Sequence, residues 1–329
     1  MAPLVSIVIP AYRAAEFIGR AVASVQQQTL QDFEILIVDD ASGDDTLATA
    51  QALAAQDARI RVFTLARNGG VAVARNTGID QARGRYLAFL DADDALLPER
   101  LERLVALADA QALDVVGDNQ WLRDVHLDRN VGVMAFNPGD APMRLDAATF
   151  LRNSDNVPKV REILSGRIAA YFPVIKPIVR RDFLQAHALR YDPACKIGED
   201  FDLHIRCLLE GASVVIVPEA YYVYTLPYSE VSRTRSPHSR TVMNLQPVLR
   251  NVDHLLHAYR DRLSPELRRA LARCKQGAQG LQQFEQIKAD LYGGRAAAVL
   301  DLATTPRLWG YAARSTSIKL RNLSSRLAS

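Results

Sequence analysis

Residues 85–94 read Arg-Tyr-Leu-Ala-Phe-Leu-Asp-Ala-Asp-Asp, an apolar run that stops on three carboxylates within four positions. Arg85 to Leu90 has the composition of a buried strand. Carboxylates crowded at its end repel one another unless something positive lies among them. A hard divalent cation such as Mg²⁺ or Mn²⁺ relieves that repulsion, takes carboxylate oxygens and usually bridges to phosphates. The decapeptide therefore predicts a strand whose carboxyl end forms a cation site for a diphosphate.

The same grammar extends toward the N-terminus. Val5 to Ile9 is a β-branched run ending at Pro10, and Ile18, Ala21, Val22 and Val25 follow at helical spacing. Phe33 to Val38 ends in Asp39-Asp40-Ala41-Ser42-Gly43, which is turn chemistry. A helix over Thr46 to Ala55, a strand over Ile60 to Leu65 and a helix over Val71 to Ala82 complete the series. This alternation predicts an α/β fold with a mostly parallel, Rossmann-like sheet flanked by helices.

Toward the C-terminus the pattern loosens. A helix begins near Pro98, with Leu101, Leu104, Val105 and Ala108 on one face, and Leu113 to Gly117 reads as a strand. Residues 122–145 lack periodicity and read as a long loop. Tyr171 to Val179 reads as extended, Asp200 to Leu209 as a helix, and Val214 to Val217 and Tyr221 to Tyr224 as two short strands. Composition changes near residue 229, and three separate helical patterns follow. The expected organisation is a ligand-binding domain over 1–228 and a basic, mostly helical C-terminal extension over 229–329.

Open parallel sheets bind ligands beyond the carboxyl ends of their strands. Polar clusters stand at four such ends: Pro10-Ala11-Tyr12-Arg13, Asp39-Asp40, Asp91-Ala92-Asp93-Asp94 and Gly198-Glu199-Asp200. No Gly-x-Gly-x-x-Gly follows the first strand, which excludes a dinucleotide-binding dehydrogenase. The absence of any glycine from Pro10-Ala11-Tyr12-Arg13 disfavours a nucleotidyltransferase phosphate loop. The three cysteines and six histidines form no metal pattern.

The net charge of the 329 residues is +3, but residues 230–329 carry 17 Lys and Arg against 7 Asp and Glu. Such a segment suits an anionic partner, a membrane surface or a phosphorylated substrate, and equally a solvated Arg-rich helix surface. No signal-peptide pattern and no bilayer-length apolar run are present, so the expectation is a cytoplasmic protein, peripheral on the membrane at most. Nothing points to nucleic acid.

The ordered segments SIVIPAYR (6–13), VDDASGDDT (38–46), ARNTGI (74–79), FLDADD (89–94) and GEDFDL (198–203) resemble the family 2 glycosyltransferases of GT-A fold, over about residues 4–225. In character the chain is similar to bacterial transferases that build exopolysaccharides such as succinoglycan. The resemblance implies transfer of a hexose from a nucleotide sugar, a UDP-sugar, to a saccharide or lipid-linked oligosaccharide, with Mn²⁺ or Mg²⁺ as cofactor. Pro10 and Tyr12 would line the nucleoside pocket, Tyr12 stacking on the base. Asp40, with Asp39 beside it, would meet the base edge. Arg75 would sit near the phosphates. Asp93 would ligate the metal, and Asp91, with Ala92 next to it, would reach the ribose or the metal shell. Asp200 would be the general base, with Glu199 beside it in the acceptor site. Ser232 and Arg233 would close over the diphosphate, or belong to a solvated linker. Glu199 also reads as a charge complementing its helix dipole. The Gln-x-x-Arg-Trp segment of processive members does not occur, so one transfer per encounter is expected. Nucleotide-sugar synthesis and a non-catalytic scaffold are the competing readings.

Overall fold

The computed structural model describes residues 2–157, 159, 170–195, 197–226, 244–292, 294–295 and 297–317. The chain divides into two compact units. One comprises Met1–Asp146 with Pro173–Leu226, the other Ala147–Phe172 with Pro227–Ser329.

The first unit is built on a sheet in which β1 (Val5–Ala11), β2 (Phe33–Asp39), β3 (Ile60–Thr64) and β4 (Tyr86–Phe89) run parallel in the order β3-β2-β1-β4. The chain leaves β1 toward β2 and β3 on one side and returns to β4 on the other. The topological switch point thus falls between β1 and β4, where such sheets form a ligand crevice. Pro10 fits this central strand because β4 pairs with β1 only as far as Val8, so no ladder bond from residue 10 to β4 is lost.

Side-chain alternation assigns the two faces. Val5, Ile7 and Ile9 enter a core shared with Ile18, Ala21, Val22 and Val25 of α1 (Ile18–Gln26) and with Leu101, Leu104 and Val105 of α4 (Arg100–Ala110). On the opposite face α3 (Val71–Gln81), which follows α2 (Thr46–Gln56) in the chain, lies so close to β1 that a Cβ on Gly78 would stand 2.3 Å from Val8 Cγ1. Gly78→Ala is therefore expected to destabilise the unit by about 1–3 kcal/mol through overpacking. A denaturant midpoint unchanged from the parent would show that this face can give way.

The second half of the sheet departs from the expected pattern. Past the two-residue β5 (Ala95–Leu96) and before the equally short β8 (Met143–Arg144), β6 (Val115–Asp124) is ten residues long and pairs antiparallel with β7 (Arg129–Met134), so a hairpin occupies much of the segment expected to be loop. Its outer strand is half-exposed and carries Arg, Asn and Gly, which hid the alternation. β9 (Ile178–Arg180) lies antiparallel between β4 and β6 and makes the sheet mixed. β10 is one strand, Val214–Thr225, whose register shifts against β6 between Ile216 and Tyr222; the irregularity at Pro218 had read as a break between two strands.

In the second unit Pro265–Tyr292 is a single helix where two patterns had been expected. Gly277 and Gly280 do not interrupt it. A Cβ on Gly277 would meet the Asp155 carbonyl oxygen at 1.6 Å, and one on Gly280 the Tyr311 hydroxyl oxygen at 2.6 Å, so both serve close packing. Cys274 Sγ also donates to Leu151 O at 3.4 Å. These contacts explain why residues 147–172 group with the C-terminal helices and not with the sheet, to which the 1–228 boundary had assigned them. Among the described residues no helix is long and apolar enough to cross a membrane.

Candidate active site

At the carboxyl end of β1, Tyr12 is 43% exposed, and its ring lies 5.4 Å from the Arg13 guanidinium carbon. Arg13 and Ala41, just past β1 and β2, both have φ near +50°, a left-handed conformation that costs a non-glycine residue of order 1–3 kcal/mol and gathers at functional rims. Asp39 and Asp40 lie at this rim but are 1% and 3% exposed. Asp39 accepts from Thr64 Oγ1 at 3.1 Å and from Ser42 N. Asp40 accepts from Gly69 N at 2.6 Å and Gly70 N at 2.8 Å. Both thus shape the loops around the rim, a scaffold role the Asp-Asp pair did not reveal.

The three acids after β4 have three different environments. Asp94 is buried and accepts from Tyr222 Oη at 2.6 Å and Thr225 N at 2.7 Å, which ties the turn to β10. Burial pushes its carboxyl well above the usual carboxylate range, and Asp93 and Asp91 push it further. Asp93 is half-buried, and its carbonyl accepts from Arg20 and Thr225. Ala92 packs into the core, so only its backbone can face a ligand. Asp91 pairs through Oδ1 with Arg75 Nη2 at 2.8 Å and through Oδ2 with Lys176 Nζ at 3.1 Å.

Arg75 and Lys176 join this turn to the N-terminus of the Glu199–Leu209 helix. Arg75 Nη1 lies 2.8 Å from Asp200 Oδ1 and 3.0 Å from Glu199 Oε1, and Lys176 Nζ lies 2.8 Å from Asp200 Oδ2. The two cations are 2% and 6% exposed, whereas Asp91 keeps 27% exposure. The guanidinium carbon of Arg75 lies 5.1 Å from the Tyr191 ring centroid. Asn76, the next residue of α3, holds that tyrosine's backbone through bonds of 2.8 and 2.9 Å. Two cations and three carboxylates from four chain segments thus form one cluster with a formal charge of −1.

Burial alone would raise the carboxyl pKa of Asp200, but Arg75 and Lys176 outweigh it and hold it below the ordinary range. Asp91 is lowered in the same way, against its own burial. Glu199 moves upward through burial and the charge of Asp200, against the pull of Arg75. Burial brings His204, one turn beyond Asp200, down to about 4, so it stays neutral near pH 7.

The structure therefore brings together Arg75, Asp91, Glu199 and Asp200 from segments far apart in the chain. Pro10 and Tyr12 lie at the adjoining end of β1, and Asp93 on the turn itself. Ser232 and Arg233 lie outside the described residues. Lys176 went unnoticed in the sequence. Its position follows from register: antiparallel pairing of Ala88 with Ile178 carries residue 176 to the carboxyl end of β4. Lys176→Met is expected to leave Asp200 with one cation in place of two and to raise its pKa. With Asp200 as the expected general base, the acid limb of kcat/KM should then move to higher pH by about 1–3 units. A pH–rate profile superimposable on the parent's would contradict this.

Among the described residues no group of three or more His, Cys, Asp or Glu side chains is arranged to hold a metal ion. A hard cation still suits this turn, because the half-buried Asp93 carries a carboxylate there, beside Asp91, whose oxygens pair with Arg75 and Lys176. Mg²⁺-type sites commonly take one or two carboxylates and complete their shell from substrate phosphates and water.

Comparison with known proteins adds a family. The chain matches the family described as Glycosyl transferase family 2 over residues 6–172. It is 34% identical over 239 residues to the succinoglycan biosynthesis protein ExoO of Rhizobium meliloti (strain 1021), covering 70% of this chain and 63% of that protein. It is 31% identical over 264 residues to the glycosyltransferase EpsJ of Bacillus subtilis (strain 168), covering 80% and 70%. The chain thus spans under two thirds of ExoO's length. Among solved structures, S. aureus TarS 1–349 in complex with UDP-GlcNAc superposes with a TM-score of 0.60 at 20% identity, covering 99% of this chain and 92% of that one, a likeness of fold.

Proposed function

The chain is a family 2 glycosyltransferase of GT-A fold, and from that premise we propose that it moves a hexosyl group, with inversion and with a divalent cation, from a UDP-sugar to a hydroxyl of a saccharide acceptor in exopolysaccharide or cell-surface synthesis. The observation that carries this reading is the cluster at the switch point, where Asp91, Glu199 and Asp200 share Arg75 and Lys176. The name of ExoO supports the exopolysaccharide context, and the UDP-GlcNAc complex of TarS supports the donor class.

Pro10 and Tyr12 hold the nucleoside at the end of β1, with Tyr12 offering an exposed ring for stacking and Asp40 shaping the wall. Asp93, assisted by Asp91, would hold Mn²⁺ or Mg²⁺, and the ion when bound would supply positive charge for the departing diphosphate. Arg75 supplies fixed positive charge at the same place. Asp200 takes the proton of the acceptor hydroxyl as that oxygen bonds to the anomeric carbon. The bond from that carbon to the diphosphate breaks, and the pair of electrons leaves on phosphate oxygen. One carboxylate suffices for a single displacement, so no covalent sugar–enzyme species is needed. Glu199 borders the acceptor side.

Acceptor-dependent release of UDP tests the reading. With UDP-hexoses and Mn²⁺, release should rise on adding a saccharide or lipid-linked oligosaccharide acceptor. Pyrophosphate release from a nucleoside triphosphate would instead favour nucleotide-sugar synthesis. The basic residues after 240 support a reaction at an anionic, cytoplasmic membrane face. The full chain should sediment with phosphatidylserine-containing liposomes at low salt and be released as salt rises; equal recovery with neutral liposomes would remove the membrane from this scheme.

A further inference from the structure

The helix Pro265–Tyr292 carries Lys275, Gln279, Gln282, Gln283, Gln286 and Asp290 at successive offsets of 4, 3, 1, 3 and 4 residues. That spacing puts all six on one helical stripe. A stripe with four primary amides is not what packing alone selects, because a helix covers its partners with apolar side chains. The apolar stripe of this helix is a different one, containing Phe284 and Ile287. Gln279 and Gln286 are exposed, and Gln282 and Gln283 half-buried.

The amide stripe forms one wall of a cleft of about 750 Å³ that lies wholly within the second unit. Its other walls come from the Gln246–Ala258 helix and the segment around Asp301 and Thr305. Leu249 and Ile287 supply small apolar areas between the polar groups. The charges nearly cancel, with Arg250 and Lys275 set against Asp253, Asp290 and Asp301. Lys275 is paired with Asp253 at 2.5 Å and Asp290 with Arg295 at 3.2 Å. Gln283 Oε1 accepts from Arg307 Nη2 at 2.7 Å, and Gln286 Nε2 donates to Asp290 Oδ1 at 3.3 Å, so these amides are oriented by neighbours.

We propose that this cleft is a binding site for a neutral oligosaccharide, separate from the donor site. The reasons are chemical. Each glutamine amide offers two donors and an acceptor, the combination that pairs with hydroxyls able both to give and to receive. The carboxylates accept from further hydroxyls, and the aliphatic patches suit the C–H faces of sugar rings. A phosphate or an anionic lipid surface would meet a slight excess of carboxylates here. An apolar small molecule would find few of the hydrophobic walls that enclose such ligands. The choice of a saccharide rests on the glycosyl-transfer reading; the existence of a polar binding cleft does not.

Titration calorimetry on the full chain, with neutral hexasaccharides of glucose and galactose in several linkages, tests the site without any donor present. At least one hexasaccharide should bind. The double variant Gln282→Ala/Gln286→Ala should weaken that binding by tenfold or more, while UDP affinity and UDP-sugar hydrolysis stay as in the parent. An oligosaccharide of uronic acids should bind more weakly than its neutral counterpart. No binding by any hexasaccharide, or parent-like binding by a double variant with an unchanged melting curve, overturns the proposal. UDP-sugar turnover, measured in the same samples with water as acceptor, reports separately on the active site, so failure of the cleft and failure of the transferase reading are distinguishable.

Discussion

Asp200→Asn is expected to lower kcat by about 10³-fold, within the roughly 10²–10⁴-fold that a positioned general base contributes. The amide keeps the size of the carboxylate but cannot take a proton. It removes one negative charge from a cluster of two cations and three carboxylates, leaving two against two, so the cluster should persist. Arg75 and Lys176 still have Asp91 and Glu199 as partners. UDP affinity should therefore change little, and the loss should appear in kcat and kcat/KM alike. Unimpaired turnover by this variant would remove Asp200 from the mechanism and turn attention to Glu199. In the parent the lowered pKa of Asp200 keeps it ionised throughout the neutral range. Activity should thus be limited on the acid side only below the ordinary carboxylate range.

Arg75→Met should have the largest effect on stability, about 3–5 kcal/mol at pH 7, the usual cost of removing one member of a buried ion network. Arg75 is 2% exposed and touches Asp91, Glu199 and Asp200 at 2.8, 3.0 and 2.8 Å. Without it three carboxylates face Lys176 alone. The pH dependence has a definite sign. Asp91 and Asp200 have folded-state pKa values depressed below their unfolded values. Their stabilising contribution is therefore present above the unfolded carboxylate pKa of about 3.9 and fades as pH falls through the depressed folded values. The variant raises those folded pKa values and loses that contribution at neutral pH. The gap between parent and variant in urea unfolding should be widest near pH 7 and narrow toward pH 4. A gap that widened on acidification would contradict the assigned ion pairs.

Much of this arrangement is legible in the sequence because each strand of the first half states its own end. Val5–Ile9, Phe33–Val38 and Tyr86–Leu90 are apolar runs that stop on polar turns, and together they locate the rim of the sheet. The residues that complete the site are harder to read. Lys176 sits between Ile175 and Pro177 without periodicity, and a lysine there reads as surface until β9 is inserted beside β4. Composition and spacing alone do not separate the acids of Asp91-Ala92-Asp93-Asp94; only the resemblance gave Asp91 and Asp93 different roles. Only the approach of Tyr222 and Thr225 from β10, some 130 positions away, makes Asp94 a brace while Asp91 faces the cations. Asp39 and Asp40 were expected at the base edge; their bonds to Thr64, Gly69 and Gly70 were not legible, since those partners come from β3 and the loop after it. In the second unit, Gly277 and Gly280 lie between the two helical patterns that form the one helix Pro265–Tyr292, where they serve close packing.

In the proposed reaction the turn after β4 holds the nucleotide through a cation, while the acid at the helix start serves only to remove the acceptor's proton. Calorimetric titration of UDP with Mn²⁺ into the parent, Asp93→Ala and Asp200→Asn separates the two tasks. The expected result is parent-like affinity for Asp200→Asn and loss of Mn²⁺-dependent binding for Asp93→Ala. Parent-like, Mn²⁺-dependent binding by Asp93→Ala, with binding lost in Asp200→Asn, would reverse these two assignments.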